Sequence, residues 1–376
     1  MMCPYPLHRR QIELILLGWG MPEAQAARTA DVLGWADLHG VESHGISMLV
    51  EYDMRFRAGR LKMNADYKVV RETPVSILVD GDGGMGHVAY AMAVDAAIEK
   101  ARAGGIAVAS VRNSSHFGAV GYFTNLAARA GLIGMGATSA AGIRVAPTFG
   151  AEAKLGTDPW SFSAPSTDEN PFLLDMATTT VAYGKIRNKM NEELPMPIGW
   201  GTDKDGNPTT DPVDVTRRGG FMAPLGGTPE GASYKGYGLS AMVNILSSCL
   251  SGSTLITDPL HTKKPKGFDI GHFFLALDPK LFREAGEFEA DVGAFCAALR
   301  GTKPVEEGRP VMVAGDPQWK MAEERLRNGI SIGRGLRTKL IAVAEAAGVE
   351  WLLGGADGHE GPNSPAAAGK PAFSGS

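Results

Sequence analysis

The residues best equipped for chemistry stand in one stretch, Asp37-Leu-His-Gly-Val-Glu-Ser-His-Gly-Ile46. It sets a serine beside a histidine, Ser43-His44, between Gly40 and Gly45. An imidazole exchanges protons near neutral pH, and a neighbouring hydroxyl can hold or relay that proton. The same stretch also reads as a surface turn with two histidines, so an active site needs further parts. A second pair, Ser115-His116, lies in Asn113-Ser-Ser-His-Phe-Gly118, directly after an apolar run. Loops at strand ends of α/β sheets are where ligands bind; capping of the next helix is the competing use of His116. No HExxH and no nucleophile elbow is present. His39 and His44 are five apart, not the four that puts two zinc ligands on one helix face. That spacing argues against a metal held by Asp37, His39, Glu42 and His44.

The elements around these loops follow from hydrophobic spacing. Helices are expected over 8–18 and 22–37, and a third after the Ser43-His44 turn, closing near Gly59. A strand over 74–80 runs into Gly81-Asp-Gly-Gly-Met-Gly86 and a helix through Lys100. This glycine pattern matches a dinucleotide fingerprint, which also needs an acid at the end of the next strand. That strand, 105–111, ends in Arg112-Asn113-Ser114, so the glycines read better as a plain strand-to-helix turn. Further strands are expected over 132–139, 172–177, 268–277 and 310–313. Helices are expected from the end of the Asn113–Gly118 loop to Ala130, and over 239–250, 279–300, 316–328 and 334–348. Thr178-Thr-Thr180 could open a helix and hold phosphate, or simply cap it. Residues 192–232 read as a long loop of the kind that covers a site. Beyond Gly354 the chain is rich in Gly, Pro, Ala and Ser and reads as a disordered tail.

Composition bounds the partners. The chain has 376 residues, 44% hydrophobic and 21% charged, with a formal net charge of −4. No electrostatic case exists for nucleic acid or a membrane surface; the tightest basic run, Lys263-Lys264-Pro265-Lys266, reads as a solvated loop. Three cysteines without CxxC spacing fit a reducing, cytoplasmic setting. No signal-peptide or membrane-spanning pattern is seen. The 49 glycines, concentrated in loops, suit a protein that wraps an extended ligand.

Six motifs then resemble one family. They are Ala36-Asp-Leu-His-Gly-Val-Glu-Ser-His-Gly45, Asn113-Ser-Ser-His-Phe-Gly118, Leu155-Gly-Thr-Asp-Pro159, Leu174-Asp-Met-Ala-Thr178, Gly199-Trp-Gly-Thr-Asp203 and Lys235-Gly-Tyr-Gly-Leu239. Their types and order resemble the non-Rossmann malate/L-lactate dehydrogenase superfamily, which includes sulfolactate and ureidoglycolate dehydrogenases and a cyclic imino acid reductase. The resemblance implies a three-layer α/β fold with a mixed, largely antiparallel cofactor-binding sheet. It implies a helical domain built from 1–110 and 290–352, a nucleotide-binding domain over 111–289, and a tail over 353–376. The implied reaction is reversible reduction of a 2-oxo acid or cyclic imino acid by NADH or NADPH, in a homodimer.

Carried over by residue, the resemblance makes His44 the proton donor or acceptor, with Ser43 assisting and Asp203 orienting it. His116 lies at the same site, contacting cofactor or substrate, and holds the acid–base role in some relatives. Thr157, Asp175, Met176, Ala177, Thr178 and Lys235 match cofactor-binding positions. Tyr183, Lys185, Arg187 and Lys189 could meet a 2′-phosphate or be solvated helix charges. One departure concerns substrate binding: the family commonly has an arginine four residues after the histidine, and this chain has Met48. A thioether cannot make the bidentate, charge-assisted bond that a carboxylate takes from arginine. Arg144, in the substrate-lining loop, is the candidate replacement. A second departure is the added Thr228–Ser233 segment before Lys235. A catalytically silent dinucleotide-binding protein and a metal-dependent hydrolase are the competing functions.

Overall fold

The computed structural model describes residues 2–140, 142–258 and 269–354. The basic run 263–266, the first position of the strand expected over 268–277 and the tail beyond Gly354 lie outside the described residues.

The chain begins with β1 (Met2–Cys3), α1 (Tyr5–Gly18) and α2 (Glu23–Leu38). Pro4 and Pro22 precede the helices in extended conformation and lack the N–H that a helix start leaves unpaired anyway. Two short 3₁₀ turns over 42–48 lead into α3 (Leu49–Arg57). Ile12, Ile15 and Leu16 of α1, Leu33 of α2 and Leu49 of α3 share one buried cluster with Leu340 and Val343. The last two belong to α11 (Arg334–Ala346), close to the far end of the described chain. Just before it, β11 (Ile330–Ser331) pairs antiparallel with β1. Segments from both ends of the described chain thus share one buried helical cluster.

A seven-stranded sheet forms the centre, in the order β2-β3-β4-β10-β5-β6-β7. Its strands are β2 (Lys68–Thr73), β3 (Ser76–Asp80), β4 (Ile106–Ser114), β5 (Ile133–Thr138), β6 (Trp160–Ala164), β7 (Phe172–Met176) and β10 (Ile270–Leu277). Only β3 and β4 run parallel, joined through α4 (Gly86–Gly104); every other pairing is antiparallel. This is the mixed, largely antiparallel sheet expected, and not a Rossmann sheet. Strand alternation sorts its two faces. Phe274 and Ala276 pack with α4 and with Phe123 of α5 (Val120–Arg129). Phe273 and Ala137 face Val243 of α8 (Ser233–Asn244) on the opposite side. Helix, sheet and helix make three layers. The expected domain boundary at residue 110 falls inside β4, and the sheet continues across it.

The fingerprint-like glycines serve packing. A Cβ on Gly86 would lie 2.1 Å from the Ser115 carbonyl oxygen, and one on Gly81 2.9 Å from that of Asn113. The Gly86 N–H donates to Ser115 Oγ at 3.2 Å. The chain's own 113–116 loop thus covers the α4 N-terminus, where a Rossmann protein would seat pyrophosphate.

Several elements differ from the sequence reading. β2 and β6 were not expected. β6 carries fully buried Ser161 and Ser163, whose hydroxyls pair with Thr124, so its inward face is polar and lacks a hydrophobic signature. Residues 310–313 form no strand; the Val313 N–H is taken by the Asp316 carboxylate at 2.9 Å. Thr178 opens no helix: its hydroxyl donates to the Thr157 carbonyl at 3.1 Å, and α6 (Tyr183–Asn191) starts later. α8 begins before the expected helix 239–250 and continues into a π-helical turn, Ile245–Cys249. The expected helix over 279–300 is a short 3₁₀ turn and then α9 (Glu287–Arg300).

Candidate active site

The Ser43-His44 loop is held from below by a buried carboxylate. Asp37, near the C-terminal end of α2, accepts the Ile46 N–H at 2.6 Å and sits 3.1 Å from His8 Nε2. Asp37 and His8 are both buried. Gly45 lies so close that a Cβ there would be 1.9 Å from Asp37 Oδ1. From outside, Arg325 of α10 (Asp316–Asn328) donates to the Asp37 carbonyl and to Glu42. The loop is thereby fixed on both sides, and Ser43 Oγ lies 2.8 Å from His44 Nδ1. Burial lowers the pKa of His44 below the ordinary imidazole value.

His116 follows β4 and meets His44 ring to ring, with centroids 5.3 Å apart and planes 28° apart. Two imidazolium rings at that separation would repel by roughly 3 kcal/mol at an effective dielectric of about 20. Burial, then the nearby His44 and His87, hold the His116 pKa well below the usual range. His39, by contrast, is a structural residue: its Nδ1–H donates to the Trp35 carbonyl at 2.8 Å and its ring stacks on Trp35. Among the described residues no group of histidine, cysteine and carboxylate side chains could hold a metal ion.

His44 and His116 open into a cavity of about 370 Å³. Met48, Arg144 and Thr157 line it too, so five of the residues singled out by sequence come together. Glu51, Arg55 and Tyr183 join them there and were not expected as substrate-side residues. Arg55 ion-pairs with Glu51, one turn away on α3, and Arg144 lies over the Tyr183 ring at 4.3 Å. A cue for this was present in the sequence. Met48, Tyr52 and Arg55 follow i, i+4, i+7 spacing and share one helix face, although only the apolar residues of α3 had been read.

The proposed cofactor strand end lies alongside. Thr157 and Thr178 are joined backbone to backbone at 3.0 Å and through the Thr178 hydroxyl. Between them, Asp158 is buried and accepts from Ala140 N–H, Gly156 N–H, Ser240 Oγ and Asn244 Nδ2 at 2.6–3.0 Å. Asp175 Oδ2 accepts the Gly121 N–H at 2.8 Å at the start of α5, and burial pushes its pKa up to about 6. Met176 and Ala177 continue from Asp175 off the end of β7.

Asp203, expected to orient His44, does not bond to it within this chain. Asp203 accepts from the Asp205 and Asn207 N–H groups, each at 2.9 Å, and so closes its own turn. The Nδ1 of His44 pairs with Ser43 instead. Lys235 is exposed on the first turn of α8, the helix docked on Asp158 through Ser240 and Asn244. Lys185 and Arg187 are likewise exposed on α6.

Comparison with known proteins agrees with this architecture. A malate dehydrogenase from Pyrococcus horikoshii is 38% identical over 339 residues, covering 90% of this chain and 93% of the relative. The crystal structure of malate dehydrogenase from Entamoeba histolytica superposes with a TM-score of 0.88 at 31% identity, covering 93% and 99% of the two chains. That of Δ1-piperideine-2-carboxylate reductase from Pseudomonas syringae superposes with a TM-score of 0.80 at 26% identity, covering 92% and 100%. Residues 6–341 match the model of the malate/L-lactate dehydrogenase family, and with its non-Rossmann sheet and paired histidine loops the chain belongs to that family.

Proposed function

We propose that this protein is a NAD(P)H-dependent oxidoreductase that reversibly reduces a small 2-oxo acid to the 2-hydroxy acid. The observation that carries the reading is the stacked His44–His116 pair opening into one cavity with Arg144. The donor set suits anionic ligands. Two guanidinium groups line the cavity, and its one carboxylate, Glu51, is already paired with Arg55. Gly118 and Gly142 expose backbone there. A nicotinamide nucleotide and an acid substrate fit such a lining.

When bound, the reduced nicotinamide supplies hydride to the substrate carbonyl carbon. Thr157, the 175–178 segment and Lys235 are the residues proposed to hold the nucleotide. His44 delivers the proton to the carbonyl oxygen, and Ser43, bonded to Nδ1, steadies the ring and links it to solvent. An imidazole serves both directions because its ordinary pKa is close to neutrality. Arg144 is the proposed carboxylate anchor in place of the arginine absent at Met48. Its guanidinium is oriented by Tyr183 and has no ion-pair partner among the described residues. Assembly as a homodimer belongs to the same proposal and is measured by sedimentation.

The test is nucleotide absorbance at 340 nm with NADH and NADPH against 2-oxo acids, 2-oxo diacids and a cyclic imino acid. Turnover of an acid is expected. His44→Ala should lower kcat at least 100-fold while nucleotide affinity stays within a few-fold. Arg144→Ala should raise KM for the acid at least tenfold. No turnover with either nucleotide, despite tight binding, would favour a silent binding protein.

A further inference from the structure

His116 is held differently from His44. Its Nδ1 lies 2.6 Å from the Tyr52 hydroxyl and 3.3 Å from the Gly118 backbone nitrogen. A backbone N–H can only donate, so Nδ1 must present its lone pair. The Tyr52 hydroxyl then donates to that same nitrogen. The one proton of a neutral imidazole is left on Nε2, which bonds to no described residue. Tyr52 is 1% exposed, and burial keeps its phenol protonated and able to donate. The ring plane is fixed as well: His116 stacks on His44 and meets His87 edge-on at 6.3 Å. The ionisable groups around it are His44, His87, His272 and Arg55, and a charge on any of them disfavours a second charge on His116.

We infer that Tyr52 is a positioning residue that locks His116 in its Nε2–H tautomer, making His116 a neutral hydrogen-bond donor to the substrate oxygen. This rests on the oxidoreductase reading. The two stacked rings then divide the work. The carbonyl carbon takes up hydride from the reduced nicotinamide nucleotide, and the C=O π pair moves onto oxygen. The His44 proton passes to that oxygen, leaving neutral His44 to be reprotonated from solvent. His116 donates a hydrogen bond throughout and transfers no proton. A neutral donor aimed at the developing oxyanion stabilises it without placing a second cation beside His44. The tautomer decides which ring is which: the Gly118 N–H on His116 Nδ1 can only donate and commits that ring's proton to Nε2, whereas the Ser43 hydroxyl on His44 Nδ1 can donate or accept.

Imidazole ¹⁵N NMR on the resting, full-length protein reads the tautomer without any substrate, with His116→Gln as the assignment control. His116 should show an unprotonated Nδ1 and a protonated Nε2, unchanged from pH 8 to pH 6. Tyr52→Phe should give a tautomer mixture and lower kcat about tenfold with KM changed less than threefold. A protonated Nδ1 in the wild type overturns the lock, as does a Tyr52→Phe spectrum in which His116 is unchanged. If Tyr52→Phe does not fold, His116→Gln and His116→Leu decide the role. A glutamine amide can donate a hydrogen bond but cannot deliver a proton. His116→Gln should therefore keep activity within about tenfold, and His116→Leu should lose at least 100-fold. Equal loss in both overturns the donor role. Absence of turnover in the wild type sinks the oxidoreductase reading instead, and leaves the NMR result to judge the lock.

Discussion

At the scale of single residues, the site depends on close approaches as much as on its histidines. Gly45 has a negative φ of −98°, so no left-handed conformation demands glycine there. Its smallness is required because the Asp37 carboxyl lies where a Cβ would go. Gly45→Ala should break the Asp37–Ile46 bond, cost about 2–4 kcal/mol in urea unfolding, and reduce kcat together with stability. The histidines and their neighbouring serine were legible because imidazole chemistry is tied to residue type. Tyr52, Glu51 and Arg55 were not read, because a tyrosine or an ion pair on an amphipathic helix has many uses. Only the placement of α3 against the 116–118 turn gives Tyr52 its partner.

At the scale of elements, Asp158 ties three of them together: Ala140 ahead of the segment bearing Arg144, the turn at Gly156, and α8. It holds them by four hydrogen bonds to one buried carboxylate. Asp158→Ala would leave those donors unpaired in the interior. The expected cost is about 3 kcal/mol, read as a lower Tm, with a higher KM for the acid as the Arg144 loop loosens. Helices with clear 3.6-residue spacing, such as α10, were placed well from sequence. β6 was not, because its inward positions are serines, and the 310–313 segment was read as a strand although it finds no sheet edge. The failed fingerprint at Gly81–Gly86 was informative: without an acid after β4 the glycines had to serve packing, and they do.

At the scale of the whole molecule, buried imidazoles make stability depend on pH. Burial lowers His39 to about 4, and His87 and His272 to about 3. Unfolded, each titrates near 6.5, so between about 6.5 and these values the unfolded chain binds more protons than the folded one. Their contribution is complete above pH 6.5 and is lost as the pH falls, by roughly 1.4 kcal/mol per pH unit for each histidine. Asp175, raised to about 6, acts in the opposite sense and offsets about one of them between pH 6 and 4. Urea unfolding should show stability falling from pH 7 to pH 4, and a shallower fall in His272→Gln. A flat profile over that range would contradict the buried, neutral assignment. The three-layer arrangement was legible through the family motifs. The pairing of β1 with β11 was not, since each is two residues long and carries no pattern. The links between the two ends bear on truncated forms of the chain. Arg325 reaches back across 288 positions to the Asp37 carbonyl, and Gln11 donates to the Glu350 carbonyl. A chain cut before residue 325 lacks the guanidinium that closes the Ser43-His44 loop from outside and keeps only the Asp37 support beneath it. Truncation ahead of Arg325 should therefore leave His44 synthesised but less firmly set in place.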